Sequence, residues 1–254
     1  MSVRGTLGHH LALGALAPLL PVMLWQGRRV RRTTPRLPDA AGADRGVAGT
    51  GARRVAIAVV GESTVSGVGA RTHATGWPGR LAESLARATD ARVAWRAVGV
   101  NGAAAARVAR VAAETLAGGR CDAAFVALGV NDVLEFTRVA RWRADVASLC
   151  DFLAGACGAR LVVLAGVPPL ERFPALPQPL AAFLGTRARA LDAALADLAR
   201  RRGDAVHVPF AIAGGAAMFC ADRFHPSERG YARWAAHTVA AALPALTARG
   251  VPGA

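Results

Sequence analysis

From residue 53 onward, short and mostly apolar runs alternate with longer stretches in which apolar positions recur every three to four residues. The runs are residues 55–60 (VAIAVV), 93–98, 123–128 (AAFVAL), 161–165 (LVVLA) and 205–208. They are rich in β-branched residues and too short for buried helices, so they are expected to be strands. Residues 77–88, 103–116, 142–154, 180–202 and 227–243 have the spacing of amphipathic helices. Continuous apolar strands separated by such helices predict an α/β domain: a mainly parallel, five-stranded sheet covered on both faces. No repeat beyond this βα alternation is present, and residues 53–250 read as one domain. In such sheets reactive groups gather on loops at the carboxyl ends of the strands.

The first fifty residues follow another pattern. Residues 11–25 (LALGALAPLLPVMLW) are uncharged and apolar, and Arg28, Arg29, Arg31, Arg32 and Arg36 follow at once. A cleaved signal peptide carries its charge before the apolar run and a small-residue site after it. Here only Arg4 precedes the run, and arginines stand where the site would be. The expectation is an uncleaved N-terminal membrane anchor over residues 1–32. Its basic flank places the rest of the chain on the cytoplasmic side of the inner membrane. The run is short for a full span and holds Pro18 and Pro21, so an interfacial seat on membrane lipids is the other form the anchor can take. Residues 33–52, rich in Pro, Gly, Ala and Thr, read as a flexible linker.

Composition narrows the partners. The net charge of +14 comes from arginine alone, since the 254 residues include no lysine. Beyond the basic flank of the apolar run these arginines are scattered at helical spacings and form no nucleic-acid-binding motif, which describes a solvated surface and no nucleic-acid partner. Cys121, Cys150, Cys157 and Cys220 form no C-x-x-C and no Cys/His pairing, so neither a metal site nor a disulfide framework is expected. They read as small buried apolar residues.

Candidate chemistry lies in four islands: Gly61-Glu62-Ser63, Asn101-Gly102, Gly129-Val130-Asn131-Asp132 and Asp222-Arg223-Phe224-His225-Pro226. Each falls at or just after the end of an expected strand or at the start of a helix. A serine on a tight turn after a strand exposes its hydroxyl and can turn its own N–H toward a bound carbonyl; a helix-capping serine is the alternative. Asp222 is near enough to His225 to hold Nδ1, leaving Nε2 to take the serine proton. Gly102 offers an unobstructed N–H, and Asn131 an uncharged amide donor, for a tetrahedral oxyanion; both residue types also suit plain turns. His73, His207 and His237 read as structural, and His9 and His10 lack partners as ligands. Asp132 is expected to anchor the asparagine loop. Phe136, Trp142, Phe173 and Phe183 flank the third and fourth strand exits and suit an acyl pocket or core packing.

In this order the four islands resemble the SGNH hydrolases, the GDSL-type esterases and lipases, over residues 55–243. The resemblance implies a three-layer, flavodoxin-like α/β/α fold, no metal or cofactor, and hydrolysis of small-molecule or lipid esters or thioesters. It implies a triad of Ser63, His225 and Asp222, with an oxyanion hole of the Ser63 N–H, Gly102 and Asn131. The stretches around Trp142 and Val167-Pro168-Pro169 are similar to a bacterial branch of arylesterases and long-chain acyl esterases. One departure stands out: Glu62 occupies a position where the family has aspartate. There the acid supports the turn and is not the triad acid, so Glu62→Asp is expected to preserve or raise activity. Two other functions fit the same islands: an O-acyltransferase using this site, and a catalytically silent, membrane-tethered binding module.

Overall fold

The computed structural model describes residues 19–212 and 215–251. All five expected strands form: β2 (Arg53–Gly61), β3 (Ala91–Gly99), β4 (Ala123–Ala127), β5 (Leu161–Ala165) and β6 (Ala205–Val208). They pair in parallel, with register Gly61↔Gly99 toward β3 and Gly61↔Ala127 toward β4. A sixth strand, β1 (Arg45–Ala48), extends the sheet beyond the five-stranded expectation, pairing antiparallel with β3 at the edge. Its four residues, RGVA, carry no apolar run; pairing and the Trp95 ring make the strand. A Cβ on Gly46 would stand 2.8 Å from that ring.

The linker expectation therefore needs correction, because residues 33–52 are fastened to the domain. Beside β1, Ala40 N–H donates to the Ser66 carbonyl (2.9 Å) and Ala41 N–H to that of Arg71 (3.0 Å). The Asp39 carboxylate accepts from the Asn101 amide at 2.8 Å. All these partners are distant in sequence, which is why Pro and Gly content reads as a free tether.

The helices are α1 (Leu20–Thr33), α2 (Trp77–Thr89), α3 (Ala105–Thr115), α4 (Val130–Leu134), α5 (Val139–Gly155), α6 (Leu180–Arg201) and α7 (Glu228–Ala248). Strand side chains alternate between the two faces. Val60, Val126 and Leu164 join a core with α3, α5 and α6, while Val59, Phe125 and Val163 join one with α2 and α7. These are the three layers. Without β1 the sheet order is the flavodoxin-like one, with a topological switch point between β2 and β4.

The expected N-terminal anchor falls partly outside the described residues. Its described part, α1, buries Met23 and Gln26 against the start of α6 and leaves Leu20, Leu24 and Trp25 exposed. Gln26 donates to the Gln178 carbonyl (2.6 Å) and accepts from the Leu180 N–H (3.1 Å). Among the described residues no helix is long and apolar enough to cross a membrane, so the expectation of a transmembrane helix finds no support there.

Trp77 and Trp234 stack at 4.3 Å between α2 and α7, both buried. Trp77→Ala is expected to destabilise the fold by about 3–5 kcal/mol, read as a lowered urea midpoint at unchanged slope.

Candidate active site

Gly61 ends β2 where a Cβ would meet the Ala127 carbonyl of β4 at 2.3 Å, so only glycine fits. The chain then turns on the Glu62 carbonyl, which accepts from the N–H groups of Val65 and Ser66, both at 3.0 Å. The next helix begins only at Trp77, so Ser63 is not a helix cap. Its hydroxyl stands at the switch point. The SGVG stretch that follows is packed: Ser66 and Val68 are buried, and Tyr231 donates to the Val68 carbonyl at 2.6 Å. A Cβ on Gly69 would stand 2.6 Å from the Pro226 carbonyl, so the serine and histidine loops touch. Glu228 ties them again, accepting from the Arg71 N–H (3.0 Å) and the Thr75 hydroxyl (2.9 Å).

The structure brings Ser63, His225 and Asp222 into one line. His225 Nε2 lies 2.8 Å from Ser63 Oγ, and His225 Nδ1 lies 2.6 Å from Asp222 Oδ2. The other carboxylate oxygen accepts from the N–H groups of Phe224 and His225, both at 2.9 Å, and from the Cys220 thiol at 3.0 Å. Burial opposes ionisation of Asp222, but hydrogen bonds from His225, Cys220 and these N–H groups outweigh it and hold the carboxyl far below the usual range. Arg223 makes the turn compact by adopting a positive φ of 59°. The remaining gap is closed by Cys220, whose N–H donates to the His225 carbonyl at 2.9 Å.

Glu62 is buried and reaches across to the exit of β4. It accepts from the Gly129 N–H (2.5 Å), the Asn131 N–H (3.2 Å) and the Asn131 side-chain amide (3.0 Å). The Asn131 amide also donates to the Ala103 carbonyl, at 3.2 Å, so it sits against the residue after Gly102. The second, longer bond is the one that can yield to a substrate oxygen. Gly102 has φ +71° and open space around its Cα, on the exit loop of β3. Asp132 is fully buried and accepts from the Ala105 N–H at 2.9 Å, anchoring the asparagine loop as expected.

Beside Ser63 and His225 opens an apolar cavity of about 40 Å³. Of the four aromatics read as pocket candidates, only Phe173 lines it. Trp142 is wholly buried beneath Gly129, while Phe136 is exposed against Phe183 and under Arg187. Phe210, Phe219, Phe224 and Trp234 complete the walls. Sequence reasoning missed these four, along with the Cys220 contact, although Phe219, Cys220 and Phe224 lie within or beside the histidine island. Of the other histidines, His207 pairs with Asp192 (2.9 Å) and His237 with the Pro209 carbonyl (3.0 Å), both structural. Among the described residues no cluster of His, Cys, Asp or Glu has the arrangement of a metal site.

A serine, an imidazole and a carboxylate in hydrogen-bonded sequence, at the switch point of a parallel sheet, form the arrangement of a serine hydrolase. The chain belongs to the GDSL-like lipase/acylhydrolase family, whose model matches residues 59–233. The structure of TesA is similar over 76% of this chain and 99% of its own, at 25% identity and a TM-score of 0.56. The fold is shared with a Clostridium thermocellum family 3 carbohydrate esterase, at 17% identity and a TM-score of 0.60 over 77% of this chain and 98% of that one. It is also shared with a psychrotrophic esterase, EstA, from Pseudoalteromonas sp., at 15% identity and a TM-score of 0.57 over 76% and 98%. No curated protein sequence matches significantly. These likenesses give the family and not the arylesterase branch.

Burial pushes the Glu62 carboxyl up to about 8, against the Gly129 and Asn131 N–H groups that favour its ionised form. An acid raised in the folded state holds a proton that the unfolded chain releases near 4.5. Its contribution to stability therefore declines as pH rises from 4.5 to about 8. Glu62→Gln is expected to flatten the fall in melting temperature across this window relative to wild type.

Proposed function

We propose that this protein hydrolyses carboxylic or thio esters by two-step acyl transfer through Ser63. The observation that carries the reading is the unbroken Ser63–His225–Asp222 relay, with contacts of 2.8 and 2.6 Å. Ser63 Oγ attacks the carbonyl carbon while His225 Nε2 accepts its proton, and Asp222 keeps Nδ1 protonated and the ring in place. The oxyanion forms toward the Ser63 N–H, the Gly102 N–H and the Asn131 amide, which Glu62 holds ready. The Asn131 amide reaches the oxyanion by exchanging its 3.2 Å bond to the Ala103 carbonyl, and removing one such donor typically costs on the order of 10²–10³ in rate. His225 then returns the proton to the departing alcohol or thiol. Water, activated by the same imidazole, attacks the acyl-enzyme and releases the acid.

Ser63→Ala is expected to abolish cleavage of aryl esters and labelling by a fluorophosphonate probe, with folding unchanged by circular dichroism. Wild-type turnover that survives in Ser63→Ala would overturn the assignment; a wild-type Ser63 that takes no probe would point to the silent binding module. Product analysis with a competing alcohol separates hydrolysis from acyl transfer: free acid as the main product supports the hydrolase.

We further propose that the N-terminal segment holds the catalytic domain on the cytoplasmic face of the inner membrane. The supporting feature is α1, where exposed Leu20, Val22, Leu24 and Trp25 lead directly into Arg28, Arg29, Arg31 and Arg32. An apolar half-helix followed by a cationic one suits insertion at the level of anionic headgroups. Replacing those four arginines with glutamine is expected to weaken binding of the full chain to phosphatidylglycerol-containing vesicles at least about tenfold in co-sedimentation. Equal binding by both proteins would count against an electrostatic seat.

A further inference from the structure

The cavity beside Ser63 has a definite size, and its walls cannot easily withdraw. Its volume is about 40 Å³. An apolar cavity of about 150 Å³ holds benzene, so this one has room for about two carbons beyond the carbonyl. Phe173, Phe219 and Phe224 form one wall, packed edge to face, with Phe173 5.5 Å from Phe219 and 5.1 Å from Phe224. Phe210 and Trp234 form the other, and Trp234 is clamped from behind by Trp77. Ala127, Leu128 and Gly166, from the ends of β4 and β5, close the floor, while Ser63 and His225 stand at the mouth. Moving either wall disturbs an aromatic cluster or the loop that carries His225. Overfilling such a site is costly.

Resting on the esterase reading, we propose that this cavity is the acyl subsite and that it selects short, uncharged acyl groups of about two to four carbons. The alcohol half of the ester does not belong there. His225 must protonate that half, which must then leave to solvent, and the second-step water must reach Ser63 along the same path. A mostly apolar, partly open recess serves those polar movements poorly, but it suits the end of the acyl chain that stays on Ser63 between the two steps. Its mostly apolar lining, which includes no arginine, offers no cation to a charged acyl group such as a succinyl, and Glu62 adds no attraction. Phe173 and Phe219 are thus specificity-determining residues.

The test is a ladder of p-nitrophenyl esters from acetyl to octanoyl, run on the full chain. A matching ladder of acetate esters with alcohols from methyl to octyl accompanies it. Expected is a fall in kcat/KM of at least about tenfold from butanoyl to octanoyl, because a hydrophobic pocket resolves single methylenes by tenfold or more. The alcohol ladder is expected to be much flatter. Phe173→Ala is expected to raise the octanoyl-to-butanoyl ratio at least about tenfold by lengthening the cavity. Phe219→Leu offers a milder enlargement if that variant does not fold, and the wild-type ladder decides on its own. A wild-type profile that is flat or rises with acyl length would overturn the proposal, as would a sharp size limit on the alcohol side instead. Absence of turnover at every length, together with an unlabelled Ser63, would mean that the esterase reading had failed. Ser63-dependent turnover with the wrong profile would reject the acyl subsite alone.

Discussion

The site depends first on one buried carboxyl. Glu62 leaves the end of β2 and gathers the Gly129 N–H, the Asn131 N–H and the Asn131 amide at the end of β4. In doing so it spans the switch point where the parallel sheet opens. The serine turn is built on the carbonyl of the same residue. Ser63 and Asn131, the proposed nucleophile and oxyanion donor, therefore share a single anchor, and the distance between them is set by one side chain. Keeping an acid there costs desolvation, which pushes its carboxyl up to about 8, and the N–H groups offset only part of that cost.

The second half of the site is fixed by a different economy of parts. The Asp222–His225 loop is short enough for one carboxylate oxygen to gather two N–H groups and a thiol while the other holds the imidazole. Its position relative to Ser63 comes from packing. Gly69 admits the Pro226 carbonyl, and Glu228 reaches back to Arg71 and Thr75. Each loop alone is a few residues of irregular chain; braced against each other they hold a 2.8 Å contact.

What the sequence made legible was whatever is local. Apolar runs located five strands, two of them to the residue, because a strand buried on both faces leaves no polar position. The Asp222–His225 pairing was readable because three residues of separation bring the two side chains together. Glu62 was legible as a support but not in its target, which lies 67 residues away. β1 was hidden because its identity comes from the open edge of β3. The cavity walls were hidden for a related reason. Phe173, Phe210 and Trp234 come from three separate segments, and nothing in their spacing announces that they converge. Phe136 and Trp142 looked equally suitable, yet Trp142 lies in the core and Phe136 on the surface against Phe183 and Arg187, both away from the cavity.

The fastening of residues 33–52 bears on how the enzyme can be divided. An N-terminal anchor joined by a loose tether could be trimmed away to leave an unaltered catalytic unit. Here the stretch after α1 supplies the outer strand of the sheet, and Asp39 takes hold of Asn101, the neighbour of the proposed oxyanion glycine. A shortened protein beginning at residue 53 would lose α1. It would also have a bare β3 edge, open to pairing with other chains, and a slackened turn beside Ser63. The N-terminal stretch and the sheet it edges are parts of one continuous structure, and they meet at the loop that carries Asn101 and Gly102.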